Sequence, residues 1–122
     1  MKREILHKEL SYKIVGTLYK VHNNLGRFCS ERQYCDAIEK EFKKEKIFYK
    51  REHPIVFEGE KSNKVDFLID DKIILEAKTK SFITKDDYFQ IKRYLNESNL
   101  ELGLLVNFRR RFLNIRRILN KT

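Results

Sequence analysis

Val65-Asp66-Phe67-Leu68-Ile69-Asp70-Asp71-Lys72-Ile73-Ile74-Leu75-Glu76-Ala77-Lys78 is two short apolar runs joined by an acidic turn. Residues i and i+2 of a strand share a face. Glu76 and Lys78 therefore project together, and Ile73, Leu75 and Ala77 point the other way. The preceding run carries one carboxylate, Asp66. A carboxylate inside an apolar strand is costly to bury unless it is paired or binds a cation. Two of them on neighbouring strands, with a lysine beside one, demand a reason. The turn decides whether they meet. Directly opposed residues of an antiparallel pair share a face. Asp66 opposes Glu76 only across an odd loop, such as Asp70-Asp71-Lys72, or with the help of a bulge.

Outward from this hairpin, the chain reads as follows. Residues 4–24 form a helix with Ile5, Tyr12, Val15, Leu18, Tyr19, His22 and Leu25 as its apolar stripe. Gly26 stands at the C-cap position. Ser30 with Gln33 makes a capping box for a second helix over 31–46, whose buried face is Tyr34, Ala37, Ile38 and Phe42. Segments 47–50 and 54–58 read as two strands, with Pro54 at a strand start, and 59–63 as a polar turn. Thr84 with Asp87 caps a third helix over 85–97, with Tyr88, Ile91 and Leu95 inward and Gln90 and Tyr94 on a neighbouring face. The apolar run Leu102–Phe108 fits a strand covered on both faces. The segment 109–122 reads as a final strand or a docked tail. The predicted class is α/β, a mixed sheet between helices.

Composition narrows the function. With 122 residues, 41% of them hydrophobic, the expectation is one domain with a real core. The formal charge is +9, and six basic residues with no acid lie in 109–122, leaving +3 on the rest. Such a segment suits a polyanion. Cys29 and Cys35 show no metal-ligand spacing and read as reduced thiols of a cytoplasmic protein. No apolar run reaches the length of a membrane span. Paired carboxylates repel unless one protonates or a cation sits between them. Oxygen ligands of this kind suit Mg²⁺ or Mn²⁺. Lys78 on the same face is placed to stabilise charge on a phosphorus undergoing attack. On local sequence alone, Glu31 reads as a first-turn carboxylate favoured by the helix dipole.

The ordered set His22-Asn23-Asn24-Leu25-Gly26, Glu31-Arg32-Gln33-Tyr34, Asp36-Ala37, Asp66-Phe67, Glu76-Ala77-Lys78, Gln90, Tyr94-Leu95 and Leu102–Phe108 resembles the PD-(D/E)xK nuclease superfamily. Within it, the chain looks like the small GxxExxY proteins. Phe28 stands where that motif has its Gly, and Val65 where the superfamily name has its Pro. The resemblance implies a restriction-endonuclease-like core in αβββαβ order, preceded by an extra helix. It implies Asp66, Glu76, Glu31 and the backbone carbonyl of Ala77 as ligands of Mg²⁺ or Mn²⁺, Lys78 as the catalytic lysine, and Gln90 facing the site to orient water or phosphate. Lys80, Lys85, Arg93, Tyr94, Arg109, Arg110, Arg111, Arg116 and Arg117 are the expected nucleic-acid contacts. DNA is the expected partner, RNA is also admitted, and a homodimer would allow paired cuts. The alternative is a catalytically silent nucleic-acid-binding or accessory protein that keeps the nuclease fold.

Overall fold

A computed structural model describes residues 6–55 and 63–120. Expectations for residues 4–5, 56–62 and 121–122 fall outside these. Three helices, α1 (Lys8–Leu25), α2 (Glu31–Lys44) and α3 (Lys85–Ser98), accompany five strands: β1 (Tyr49–Ile55), β2 (Asn63–Ile69), β3 (Ile73–Lys78), β4 (Leu102–Asn107) and β5 (Asn114–Leu119). The strands make one sheet in the order β1-β2-β3-β4-β5. Only β3 and β4 run parallel, and α3 makes the crossover between them. The α/β class with a mixed sheet is therefore what forms, with the segment after Phe108 becoming β5 on the sheet edge.

The two faces of the sheet carry separate cores. Phe67, Ile69, Ile73, Leu75, Ala77, Leu104 and Val106 pack beneath α1 and α2, with Ile14, Leu18, Tyr34, Ile38 and Phe42 from those helices. Val65, Leu68, Ile74, Leu105 and Ile118 pack against Ile91, Tyr94 and Leu95 of α3. β4 is buried along its whole length, as its continuous apolar run predicts. Gly103 faces α3 so closely that a Cβ there would lie 2.6 Å from Ile91 Cγ2. Both capping boxes form as read, at Ser30 with Gln33 and at Thr84 with Asp87. Gly26 caps α1 at φ 77 and donates its N–H to His22 O.

Four expectations need correction. Tyr88, expected inward on α3, is exposed. α1 starts at Lys8, after a left-handed His7, and not near residue 4. Its buried stripe is Ser11, Ile14, Thr17, Leu18, Val21 and His22, while Tyr12 and Tyr19 are exposed. Counting aromatic rings as core residues rotated the predicted face, because a tyrosine tolerates either side of an amphipathic helix. The expected pair of strands around 51–53 is one continuous strand. Arg51 pairs with Phe67 and His53 with Val65, so the register is the same on both sides of Glu52. Glu52 itself takes a left-handed φ of 52, and no residue is inserted.

Candidate active site

The hairpin turn has the odd length that the carboxylates require. Ile69 and Ile73 close the β2–β3 ladder around Asp70-Asp71-Lys72, and Lys72 N donates to Ile69 O at 2.9 Å. Asp70 and Asp71 both adopt left-handed φ, which Asp tolerates better than most residues. Counting back from that turn puts Asp66 opposite Glu76. The bridged ladder stops one pair earlier, at Phe67 and Leu75. Beyond it, side chains replace the backbone pairing. Asp66 N donates to Glu76 Oε1 at 2.6 Å, and Ala77 N donates to Asp66 Oδ2 at 2.7 Å. Each carboxylate thus caps the other strand's backbone. Such a bond contributes about 1.5–3 kcal/mol when the carboxylate is ionised and about 0.5–1.5 kcal/mol when it is protonated.

The reciprocal bonds hold two carboxylates together in a buried place. Burial, then the charge of Asp66, pushes the Glu76 carboxyl up to about 8. Burial also raises Asp66, against the Ala77 N–H and the Lys78 charge. Partial burial raises Glu31 at the start of α2, with Lys78 pulling it down and Asp66 pushing it up. Lys78 is thus the cation common to all three acids. It ends β3 opposite Asn107 of β4. Tyr94 of α3 is buried, and its hydroxyl is raised first by burial and then by the Glu76 charge. The acids therefore lie where the α2 layer and the α3 layer meet the sheet.

A recess of about 460 Å³ opens in front of Asp66, lined also by Glu31, Arg32, Cys35, Asp36, Arg51 and Glu52. Arg51 holds its α2 side, with Nη1 2.6 Å from Asp36 Oδ1 and 3.1 Å from Glu39 Oε1. Glu52 was not among the residues singled out from sequence. It stands opposite Asp66 across β1–β2, and its charge raises the Asp66 carboxyl. A left-handed non-glycine residue costs about 1–2 kcal/mol, and such strain gathers at functional sites. The signal in the sequence was faint: Glu52 fell in the polar gap between two apparent strands.

The other expected residues divide into groups. Gln90 is exposed on α3 and lines a neighbouring recess with Asn63, Asp86, Phe89, Arg93 and Tyr94, not the one in front of Asp66. Lys80 Nζ lies 2.7 Å from Asp87 Oδ2, so part of its charge is spent within the protein. Lys85 opens α3 and is exposed. Arg109, Arg110 and Arg111 occupy the loop after β4. Arg116 and Arg117 alternate across edge strand β5, and Arg117 donates to Ser11 Oγ and Leu6 O. Cys29 and Cys35 are free thiols, and burial raises that of Cys35.

The family model for the PD-(D/E)XK nuclease superfamily matches residues 8–118, from the start of the extra helix through the site and into β5. The chain belongs to the PD-(D/E)XK nuclease superfamily. No curated protein and no solved structure matches it significantly. Membership makes nuclease the family-level reading and nucleic acid the substrate class. Superfamily nucleases generally use divalent metals. Among the described residues, no three His, Cys, Asp or Glu side chains are gathered closely enough to hold a metal by themselves. The donor chemistry nevertheless suits a hard cation. Two carboxylates forced together lose their mutual repulsion once a dication joins them, and Mg²⁺ typically takes only one or two carboxylates and keeps its waters. Among the described residues, no helix is long and apolar enough to cross a membrane.

Proposed function

We propose that this protein is a Mg²⁺- or Mn²⁺-dependent nuclease that hydrolyses DNA phosphodiesters. The observation that carries the reading is the Asp66–Glu76 pair. Burial raises both carboxyls, the charge of Asp66 raises Glu76 further, and Lys78 is the cation that lowers both. In this reading Asp66, Glu76, the Ala77 carbonyl and Glu31 hold the cation. A bound dication would polarise the scissile phosphodiester and make a water more acidic. Lys78, on the same strand face as Glu76, stabilises charge building on the phosphate oxygens. Gln90 and Tyr94 line the adjoining recess on the α3 side, from which they would orient water or phosphate. Glu52, facing Asp66 across the recess, adds negative charge that strengthens cation binding. The basic loop Arg109-Arg110-Arg111 draws in the polyanion.

The finer placement among GxxExxY proteins is supported by Glu31, Tyr34, Glu76-Ala77-Lys78 and Gln90 in the expected order. The test is cleavage of single-stranded, duplex and branched DNA by purified protein with Mg²⁺ or Mn²⁺. Wild type should cut at least one substrate, and Asp66→Ala and Lys78→Ala should each lose activity by about 10³-fold, in line with loss of a central electrostatic element. Equal cutting by wild type and both variants, or none by any, would sink the proposal. The silent-binder alternative would instead show salt-dependent DNA affinity and no heat of Mg²⁺ or Mn²⁺ binding.

A further inference from the structure

Three loops meet at the end of the sheet where β3 and β4 both finish: 26–30 before α2, 79–84 after β3, and 108–113 after β4. Each holds an exposed phenylalanine. Phe28 is 76% exposed, Phe82 70% and Phe112 80%. Together the loops contain five cations, Arg27, Lys80, Arg109, Arg110 and Arg111, and no carboxylate. Three of these cations lie over two of the rings. Arg27 is 4.8 Å and Arg109 5.8 Å from the Phe28 centroid, and Arg111 is 5.6 Å from that of Phe112.

These loops are held in place. Asn107, buried at the end of β4, accepts from Lys80 N and Arg109 N through Oδ1 and donates from Nδ2 to Lys80 O at 2.7 Å. One side chain thus joins the second loop to the third. Arg109 Nε donates to Arg27 O at 3.2 Å, which joins the third loop to the first, and the His22 ring bonds Arg110 O at 2.9 Å, which ties the third loop to α1. Phe108 stacks on Tyr34 with centroids 4.2 Å apart, and the Tyr34 hydroxyl donates to Gly26 O at 2.6 Å. Large apolar rings normally fold inward. Three kept outward on anchored loops, two of them beside guanidinium groups, suit a ligand that offers both phosphate and flat apolar surface.

We propose that this rim binds a single-stranded stretch of DNA, with unpaired bases stacking on Phe28, Phe82 and Phe112 while the arginines follow the phosphates. Paired bases hide their faces in the duplex except at its ends or at a kink, so rings stack most readily on an unpaired strand. The rim borders the acidic pair directly: Glu31 follows the first loop, Lys78 precedes the second, and Lys78 pairs with Asn107 ahead of the third. The inference rests on the nuclease reading for its purpose, and it names the substrate class as DNA with unpaired nucleotides at the cut.

The test measures binding without catalysis. Anisotropy titrations in EDTA compare a labelled single-stranded oligonucleotide with a blunt duplex of equal length at several salt concentrations. Wild type should prefer the single strand by tenfold or more. The combined variant Phe28→Ala, Phe82→Ala, Phe112→Ala should lose about 30-fold or more for the single strand, with little change for duplex. A combined Phe→Tyr variant at the same positions should stay within about threefold of wild type, which separates lost stacking from a damaged fold. Equal wild-type affinity for both DNAs, or single-strand affinity that survives the alanine variant, would overturn it. A protein that binds unpaired DNA in this way yet cuts nothing keeps this inference and removes the nuclease reading. One that cuts blunt duplex while ignoring single strands does the opposite.

Discussion

The two ends of the sheet are built from the same kinds of loop and have opposite character. At one end, loops 26–30, 79–84 and 108–113 hold five cations, three exposed phenylalanines and no acid. At the other, connectors 45–48, 70–72 and 99–101 hold Glu45, Asp70, Asp71 and Glu101 against Lys46 and Lys72. The carboxylates are also used differently. Asp70 and Asp71 pair with Lys72 and Lys50 at the surface, as solvated charges. Asp66 and Glu76, four residues from Asp70 and three from Ile73, are buried and set against each other. One hairpin thus has an ordinary acidic turn at one end and a buried acidic pair at the other. Charge alone does not mark a site; charge kept out of solvent against its own kind does.

Two exchanges test this contrast most severely. Asp66→Asn removes the charge of a proposed cation ligand and should lower cleavage by about 10³-fold or more. Asp71→Asn preserves a residue type that accepts left-handed φ and should leave cleavage within about twofold. If the two variants lose activity alike, the ends are not functionally distinct. Both rates are read on the same DNA at saturating Mg²⁺.

β4 allows a second comparison, because it spans both ends. Gly103 lies toward the acidic end and Asn107 at the basic end. Gly103→Ala forces a methyl against Ile91 and should destabilise the fold by about 1–3 kcal/mol. Its activity per folded molecule should be retained. Asn107→Ala strips partners from Lys80 N, Lys80 O and Arg109 N, at a similar cost of about 1–3 kcal/mol. It should also lose DNA affinity, because the rim loops are no longer tied together. Urea melts paired with anisotropy separate the two effects. Unchanged DNA binding by folded Asn107→Ala would show that the loops hold their places without it.

Short-range features were legible in the sequence, and long-range ones were not. The odd turn, both capping boxes and the all-apolar β4 follow from spacing over a few residues. The buried face of α1 did not, since Tyr12 and Tyr19 satisfy the period yet lie outside. Glu52 gains its place by opposing Asp66 across a strand pair and by a left-handed φ, neither of which is written in its neighbours. Asn107 reads as the polar end of an apolar run, and only the fold reveals three backbone groups around it. Basic residues could be counted, but not their employment. Lys80 is tied to Asp87 and Arg117 to Ser11, while Arg27, absent from the expected contacts, sits on the rim.

The smallest expected effect concerns pH, and it distinguishes the two acidic ends once more. Glu76 has a carboxyl raised from about 4.5 unfolded to about 8 folded. Between those values the folded state binds more protons than the unfolded one, so stability falls as pH rises. Asp66 is raised and adds in the same direction. Glu39, Glu41 and Asp87 are lowered, so their contribution is already complete above the ordinary carboxylate range and does not change in this window. Glu76→Gln keeps an oxygen to accept the Asp66 N–H and cannot ionise. Without metal, it should melt a few degrees above wild type at pH 8.5, and the gain should shrink toward zero by pH 5. Asp71→Asn should show no such trend. Mg²⁺ should close the gap from the other side, raising the wild-type melting temperature more at pH 8.5 than at pH 5, because binding must expel the shared proton. A gain from Glu76→Gln that is flat with pH would mean the pair does not hold a proton in the folded protein, and the electrostatic contrast between the two ends would lose its basis.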